Sequence, residues 1–473
     1  NELILGEVYI FMKIERDKNE LILRGDMYKA IISISLPLVI NNFIHTLYNL
    51  ADAMWVSRLG HIEFAATSFV FPVTMFFDAL GRGISIAGSS ILSQLVGASD
   101  YKDANKYASQ LMAISLIISI SIALAGYITS PYIISWMGGT GKLALYSNTY
   151  LRICFLGFPF IFISYAFSSI LNSQGNTVTT TKLSVISAIV NVVLDPFFIF
   201  ALNLGVAGAA IATVLSQSIL VLGGIYAINK YSNSIKLDFK GFGFDKHKLR
   251  KIWNIALPAS IGQSGASLGF MVLNGFIASY GTATLAGFGM GNRITDLIMQ
   301  PNMGIGMGLT TIVGQNMGAD QVDRVYEAFR KATRLAIVIG VMGLIILLFW
   351  NQPLAALFLG GEDDVEVLRE GITYLKFISF SMPFMGIYNV FHGLFQGSGH
   401  TKYSMSMGIG RLWAIRLPMI SIFKNFTNLG SIGIWLSMSL SNFLICLYGY
   451  MIYKSKKWVE KVIGSDIKDR PLA

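Results

Sequence analysis

Long apolar windows separated by short polar breaks recur along almost the whole chain. They fall near residues 31–56, 64–96, 105–129, 144–171, 178–202 and 206–229, and again near 254–279, 283–317, 333–350, 368–396, 403–423 and 430–453. About 20 apolar residues in a helix cross the ~30 Å hydrocarbon core of a bilayer, so each window predicts one span. The polar stretch from Lys230 to Lys251 divides the twelve into two sets of six. The pattern predicts an all-α integral membrane protein: a tail over 1–30, a first lobe over 31–229, a linker over 230–251, a second lobe over 252–453 and a tail over 454–473.

The two lobes are related in sequence. A shift of 221 residues places Leu36-Pro37 on Leu257-Pro258, Gly60 on Gly281, Gly83 on Gly304, and Gln94, Gly97 and Ala98 on Gln315, Gly318 and Ala319. So many coincidences at one offset indicate duplication. Each unit holds an even number of spans, so both enter the membrane from the same side. This is a parallel repeat about an axis along the membrane normal, with a substrate cavity expected between the halves.

Composition agrees. Hydrophobic residues make up 53% and charged residues 13%, about half the charged share of a soluble chain. The net charge of +10 does not indicate nucleic acid, because most Lys and Arg lie in the tails and in the loops after even-numbered spans. On the other side stand only Arg58, Lys142, Arg152, Arg369, Lys376 and Lys424, and its longest loop is acidic (Glu362, Asp363, Asp364, Glu366). By the positive-inside rule, both termini and the linker are cytoplasmic and the protein belongs in the plasma membrane. No removable signal peptide is expected, and the residues before Met27 read as a tail.

Cys154 and Cys446 lie in apolar windows and form no disulfide framework. The chain has no Gly-x-x-x-x-Gly-Lys-Ser/Thr loop, and Gly304, Gly306 and Gly308 read as close helix contact. There is also no nucleophile-base constellation, so neither an enzyme nor a cofactor is expected. Uphill transport by such a chain draws on an ion gradient.

Carboxylates inside the membrane are costly and mark function by default. Asp52 shares one helical face with Asn41, His45 and Tyr48 on the first span, by steps of 4, 3 and 4 residues. Asn191 and Asp195 lie one turn apart on the fifth, directly before Pro196, which should kink the helix and free the carbonyl of Val192. An apolar lobe favours the protonated acid, while Asp, Asn, Thr and backbone oxygens suit a hard cation, so H⁺ and Na⁺ both remain open. The acids are not duplicated: at the 221 offset Asp52 meets Leu273, and near Asp195 the second half offers only Leu417 and Met419. Asp78 with Arg82, and Arg293 with Asp296, have the spacing of intrahelical ion pairs. Asn389, His392 and Gln396 form a polar stripe, and with Arg411 and Arg416 they are candidate cavity-lining residues.

These residues resemble the multidrug and toxic compound extrusion (MATE) family, in particular its prokaryotic branch. The resemblance is carried by Tyr48-Asn49-Leu50-Ala51-Asp52, by Asn191 to Phe198, by Val96-Gly97-Ala98 with its echo Met317-Gly318-Ala319, and by Ser398-Gly399-His400-Thr401. It implies a V-shaped antiporter, acting as a monomer, that exports amphipathic and often cationic compounds in exchange for Na⁺ or H⁺. The cation or proton site would comprise Asp52, Asn191, Asp195 and Thr213, with Tyr48 beside it. Ser168 stands where close relatives tend to carry an amide. Two rival readings stand beside antiport: a lipid-linked sugar flippase of the same superfamily, and a receptor or channel without coupled transport.

Overall fold

The computed structural model describes residues 18–231, 235–237, 239, 242–356 and 365–462. Lys240 and the acidic-loop residues Glu362, Asp363 and Asp364 lie outside the described residues, as do the outer parts of both tails. The first six spans are helices α1 (Met27–Ser57), α2 (His61–Gly97), α3 (Tyr101–Trp136), α4 (Gly141–Ser173), α5 (Thr177–Pro196) and α6 (Gly205–Tyr231). A π-helical turn, Phe197–Ala201, extends α5 past Pro196. Next come α7 (Lys246–Ala278), α8 (Thr282–Gly318), α9 (Val322–Phe349) and a short α10 (Asn351–Ala356).

The tenth and eleventh spans are not single α-helices. The tenth is divided at Phe380 and Ser381 into α11 (Val365–Ser379) and α12 (Met382–Gly397), where Pro383 cannot donate back to the preceding turn. The eleventh comprises α13 (Thr401–Ile409), a π segment Gly410–Arg416 and α14 (Leu417–Phe426), and α15 (Ser431–Lys454) is the twelfth. The architecture is therefore the twelve-span, doubled six-helix fold predicted.

The halves interlock. Met27, Ala30, Ile31 and Ile34, one face of α1, pack in a core with Ile305, Leu309 and Ile312 of α8 and Ala328 and Ala332 of α9, inside the second lobe. Reciprocally, Ile252, Ile255 and Ala256 of α7 join the core of the first lobe with Leu92, Leu95 and Phe167. Each lobe thus receives the opening turns of the other's leading helix, and residue 31 is no packing boundary.

The segment before α1 is part of this junction and not a loose tail. Ile22 is fully buried. Lys18 donates to Gly175 O in the first lobe (3.3 Å), while Gln315 and Arg324 of the second hold Asn19 Oδ1 (3.0 Å) and Ile22 O (2.9 Å).

The duplicated glycines sit at the same seam. A Cβ on Gly97 would collide with the carbonyl of Gln315, and one on Gly318 with the carbonyl of Gln94, so α2 and α8 meet backbone to backbone in a twofold-related pair. Gln94 Nε2 donates to Gly397 O (3.0 Å) and Gln315 Nε2 to Ser173 O (2.8 Å). Gly304 and Gly308 let α8 approach Val39 and Ser35 of α1, the role expected of small residues between membrane helices.

Candidate ion and substrate site

The end of α5 organises the interior of the first lobe. Asn191 and Asp195, one turn apart, are both fully buried. Pro196 closes the α-helix and the π turn follows. Helix α6 approaches this turn closely because Gly208 lacks a side chain; a Cβ there would lie 2.7 Å from the carbonyl of Phe198. That approach sets Thr213 against Asn191. With its amide nitrogen turned to the acid, Asn191 donates to Asp195 Oδ2 at 3.1 Å and accepts from the Thr213 N–H at 3.3 Å. The Thr213 hydroxyl donates to Ala209 O (3.1 Å).

From α1, Tyr48 lies beside Thr213, Asp52 and Asp195. Asp52 is close enough to Asp195 for their charges to interact, and its Oδ1 is buried without a hydrogen-bond partner. Helix α4 completes the pocket with Tyr150 and Cys154, which lie beside Asp52. The structure therefore brings together Asp52, Asn191, Asp195, Thr213 and Tyr48. Spacing could not reveal Tyr150 and Cys154, since they reach the acids only across helices.

The remaining supporting residues lie elsewhere. Ser168 is on α4 about 21 Å along the helix from Cys154 at 1.5 Å per residue, so it is a poor fit to this pocket. Asn41 is likewise about 16 Å along α1 from Asp52. His45 is exposed and bonds to Asn49 (3.0 Å), beside a second polar group in which Arg82 pairs with Asp78 at 2.7 Å and Tyr165 donates to Asp78 at 2.5 Å. The expected Arg293–Asp296 pair is absent; Asp296 accepts from Asn292 instead (3.0 Å).

The polar stripe of the second lobe is also rearranged. Asn389 donates to its own helix at Met385 O (3.1 Å). His392 and Gln396 converge on Ser404 of the neighbouring helix (2.9 and 3.2 Å). Arg411 is half-buried and Arg416 is only 4% exposed.

Among the described residues, no Lys or Arg forms an ion pair with Asp52 or Asp195. Two carboxylates thus share one pocket with neutral partners only. Burying such charges without compensation is prohibitive, and the chemistry that relieves them is protonation or a small hard cation with oxygen ligands.

Comparison with known proteins assigns the frame. The MatE family model matches residues 37–197 and again 258–422, one copy in each lobe. A probable multidrug resistance protein of Bacillus subtilis, YpnP, is 27% identical over 92% of this chain and 96% of its own. A protein of Shewanella oneidensis named FAD transporter is 26% identical over 91% and 95%. Among solved structures, a multidrug resistance MATE transporter of the MOP superfamily, described as outward-facing, superposes with a TM-score of 0.87 at 28% identity, covering 92% of this chain and 98% of that one. With the family model covering well over half its length in two copies and the acidic pocket in the first of them, this chain belongs to the MATE family of membrane transporters.

Proposed function

We propose that the protein is a secondary antiporter of the plasma membrane that exports amphipathic small molecules in exchange for H⁺ or Na⁺. Drug extrusion is the activity its multidrug relatives carry. The observation behind ion coupling is the uncompensated Asp52–Asp195 pocket, with one carboxylate oxygen buried and unpartnered.

In this reading Asp195 and Asp52 receive the ion, Asn191 and Thr213 supply neutral oxygens, and Tyr48 links the pocket to α1. The ion acts only through its different affinity for the two arrangements of α1. Because the opening turns of α1 are built into the second lobe, a change at Asp52 reaches the junction between halves along one helix. With the termini cytoplasmic, as charge distribution predicts, the glycine seam seals the cytoplasmic side and the conformer is outward-facing. Cargo of cationic character rests on family resemblance; the acid at Asp78 already holds Arg82.

The test is efflux from proteoliposomes of a cationic dye, with pH and Na⁺ gradients imposed separately. One of the two should drive movement, and Asp195→Asn should reduce it to background while leaving folded protein. Undiminished efflux by that variant would refute ion reading at this pocket.

A further inference from the structure

The second lobe carries the opposite charge in the equivalent place. The 221-residue register that superposes the duplicated glycines puts Arg416 on Asp195, Asp195 directly before Pro196 and Arg416 two residues before Pro418, each on the fifth span of its half. The flanks of Pro418 contain no acid, and the correspondence with Arg416 emerges only when the offset is carried through without a gap.

Arg416 is buried. Its Nε donates to Ser441 Oγ (2.9 Å), and its Nη2 to Asn442 Oδ1 (3.0 Å) and Met438 O (3.4 Å). Arg411 donates to the same Asn442 oxygen (3.4 Å) and stacks on Tyr388, its guanidinium carbon 4.3 Å from the ring centre. Two guanidinium groups therefore converge on one neutral amide oxygen. The π segment Gly410–Arg416 makes this possible. In an α-helix residues five apart point about 140° apart, whereas i to i+5 bonding stacks one above the other.

Among the described residues no carboxylate pairs with either arginine, and Asp296 is held by Asn292. Two polar atoms beside this pair are unused. Arg411 Nε is buried without a partner. His392 Nδ1 shares a hydrogen bond with Ser404 Oγ, and its Nε2 is also buried and unpartnered. His392 also lies against Tyr388, ring centres 4.3 Å apart and planes tilted by 48°. Adjacent like charges beside unpartnered buried polar atoms favour an anion, and paired guanidinium groups suit the fork geometry of phosphate or carboxylate.

We propose that Arg411 and Arg416, with Tyr388 and His392, form a site for an oxyanionic group, phosphate or carboxylate, on the exported compound. The proposal rests on the reading of this chain as an exporter of small molecules. It assigns the ion to the first lobe and the anionic end of the cargo to the second.

The test compares riboflavin with its 5′-phosphate, which differ by one oxyanion, binding to the full-length protein in phosphatidylcholine nanodiscs by quenching of flavin fluorescence. Riboflavin 5′-phosphate should bind at least about tenfold tighter, as expected of one charge-assisted contact. Arg411→Gln, at the more accessible position, should remove most of that preference, and Arg416→Lys part of it. Equal affinity for the two flavins, or a preference that survives in both variants, overturns the proposal. A preference that vanishes when half the lipid is phosphatidylglycerol overturns it too, in favour of a lipid headgroup as the occupant. Gradient-driven dye efflux by the same variants reports separately on folding and antiport. In the unmutated protein, absence of gradient-driven efflux with the flavin preference intact would count against ion coupling alone, and intact efflux with no preference against the oxyanion site alone.

Discussion

At the scale of single residues, the pocket of the first lobe depends on neutral partners that hold two acids without discharging them. Tyr48 brings its hydroxyl beside Thr213 and both acids, and a hydrogen bond from such a hydroxyl is worth about 1 kcal/mol net. Tyr48→Phe should therefore weaken the apparent affinity for the driving ion by about fivefold, without loss of folded protein. The dependence of efflux rate on ion concentration measures it. A different titration belongs to Asp26, outside the membrane, which caps α1 by accepting from the Lys29 N–H at 2.9 Å and lies 3.8 Å from Lys331. The Lys29 N–H holds its carboxyl below the ordinary carboxylate range. Its stabilisation is consequently present above that range and disappears as pH falls through its own lowered value. Asp26→Asn should lower the melting temperature at pH 7 and make no difference in strong acid, as thermal unfolding in detergent across pH will show.

At the scale of elements, apolar windows revealed all twelve spans, because in lipid every backbone group must be satisfied within a helix and length alone then announces a crossing. The interruptions were not legible in this way. Nothing in the hydropathy of 403–423 marks a π segment, which depends on hydrogen-bond register, and the break at Phe380 is visible only through Pro383. The candidate site was partly legible for a related reason. Asn191, Asp195 and Pro196 share one stretch of helix, so spacing joined them, while Thr213 entered through resemblance and Tyr150 and Cys154 arrive from another helix. On α1, spacing placed Asn41 and His45 on the face of Asp52, yet the length of the helix carries both away from the pocket. Gly208 gives an element-scale prediction. Gly208→Val would force α6 off the π turn, costing about 1–3 kcal/mol as overpacking does. It should separate Thr213 from Asn191, reducing both thermal stability and ion-driven efflux.

At the scale of the whole molecule, the exchange of leading helices makes the two six-span units mutually dependent. Each core is missing a wall until the other half supplies it. If the chain is cut in the linker, neither half should accumulate as a stable protein alone, whereas co-expressed halves should associate and restore efflux. Stable, separately purified halves would show that the interlock is dispensable. Charge is distributed on the same scale, with the Asp52–Asp195 pair in one lobe and the Arg411–Arg416 pair in the other, so duplication preserved the scaffold while the two interiors diverged.

The paired glycine contacts carry a consequence for the resting cell. Backbone pressed on backbone at Gly97 and Gly318 leaves no gap for a file of water molecules, and the twofold relation means that one contact cannot part far while the other stays closed. The barrier should therefore be watertight and switch as a unit, so an idle transporter does not short-circuit the gradient that would drive it.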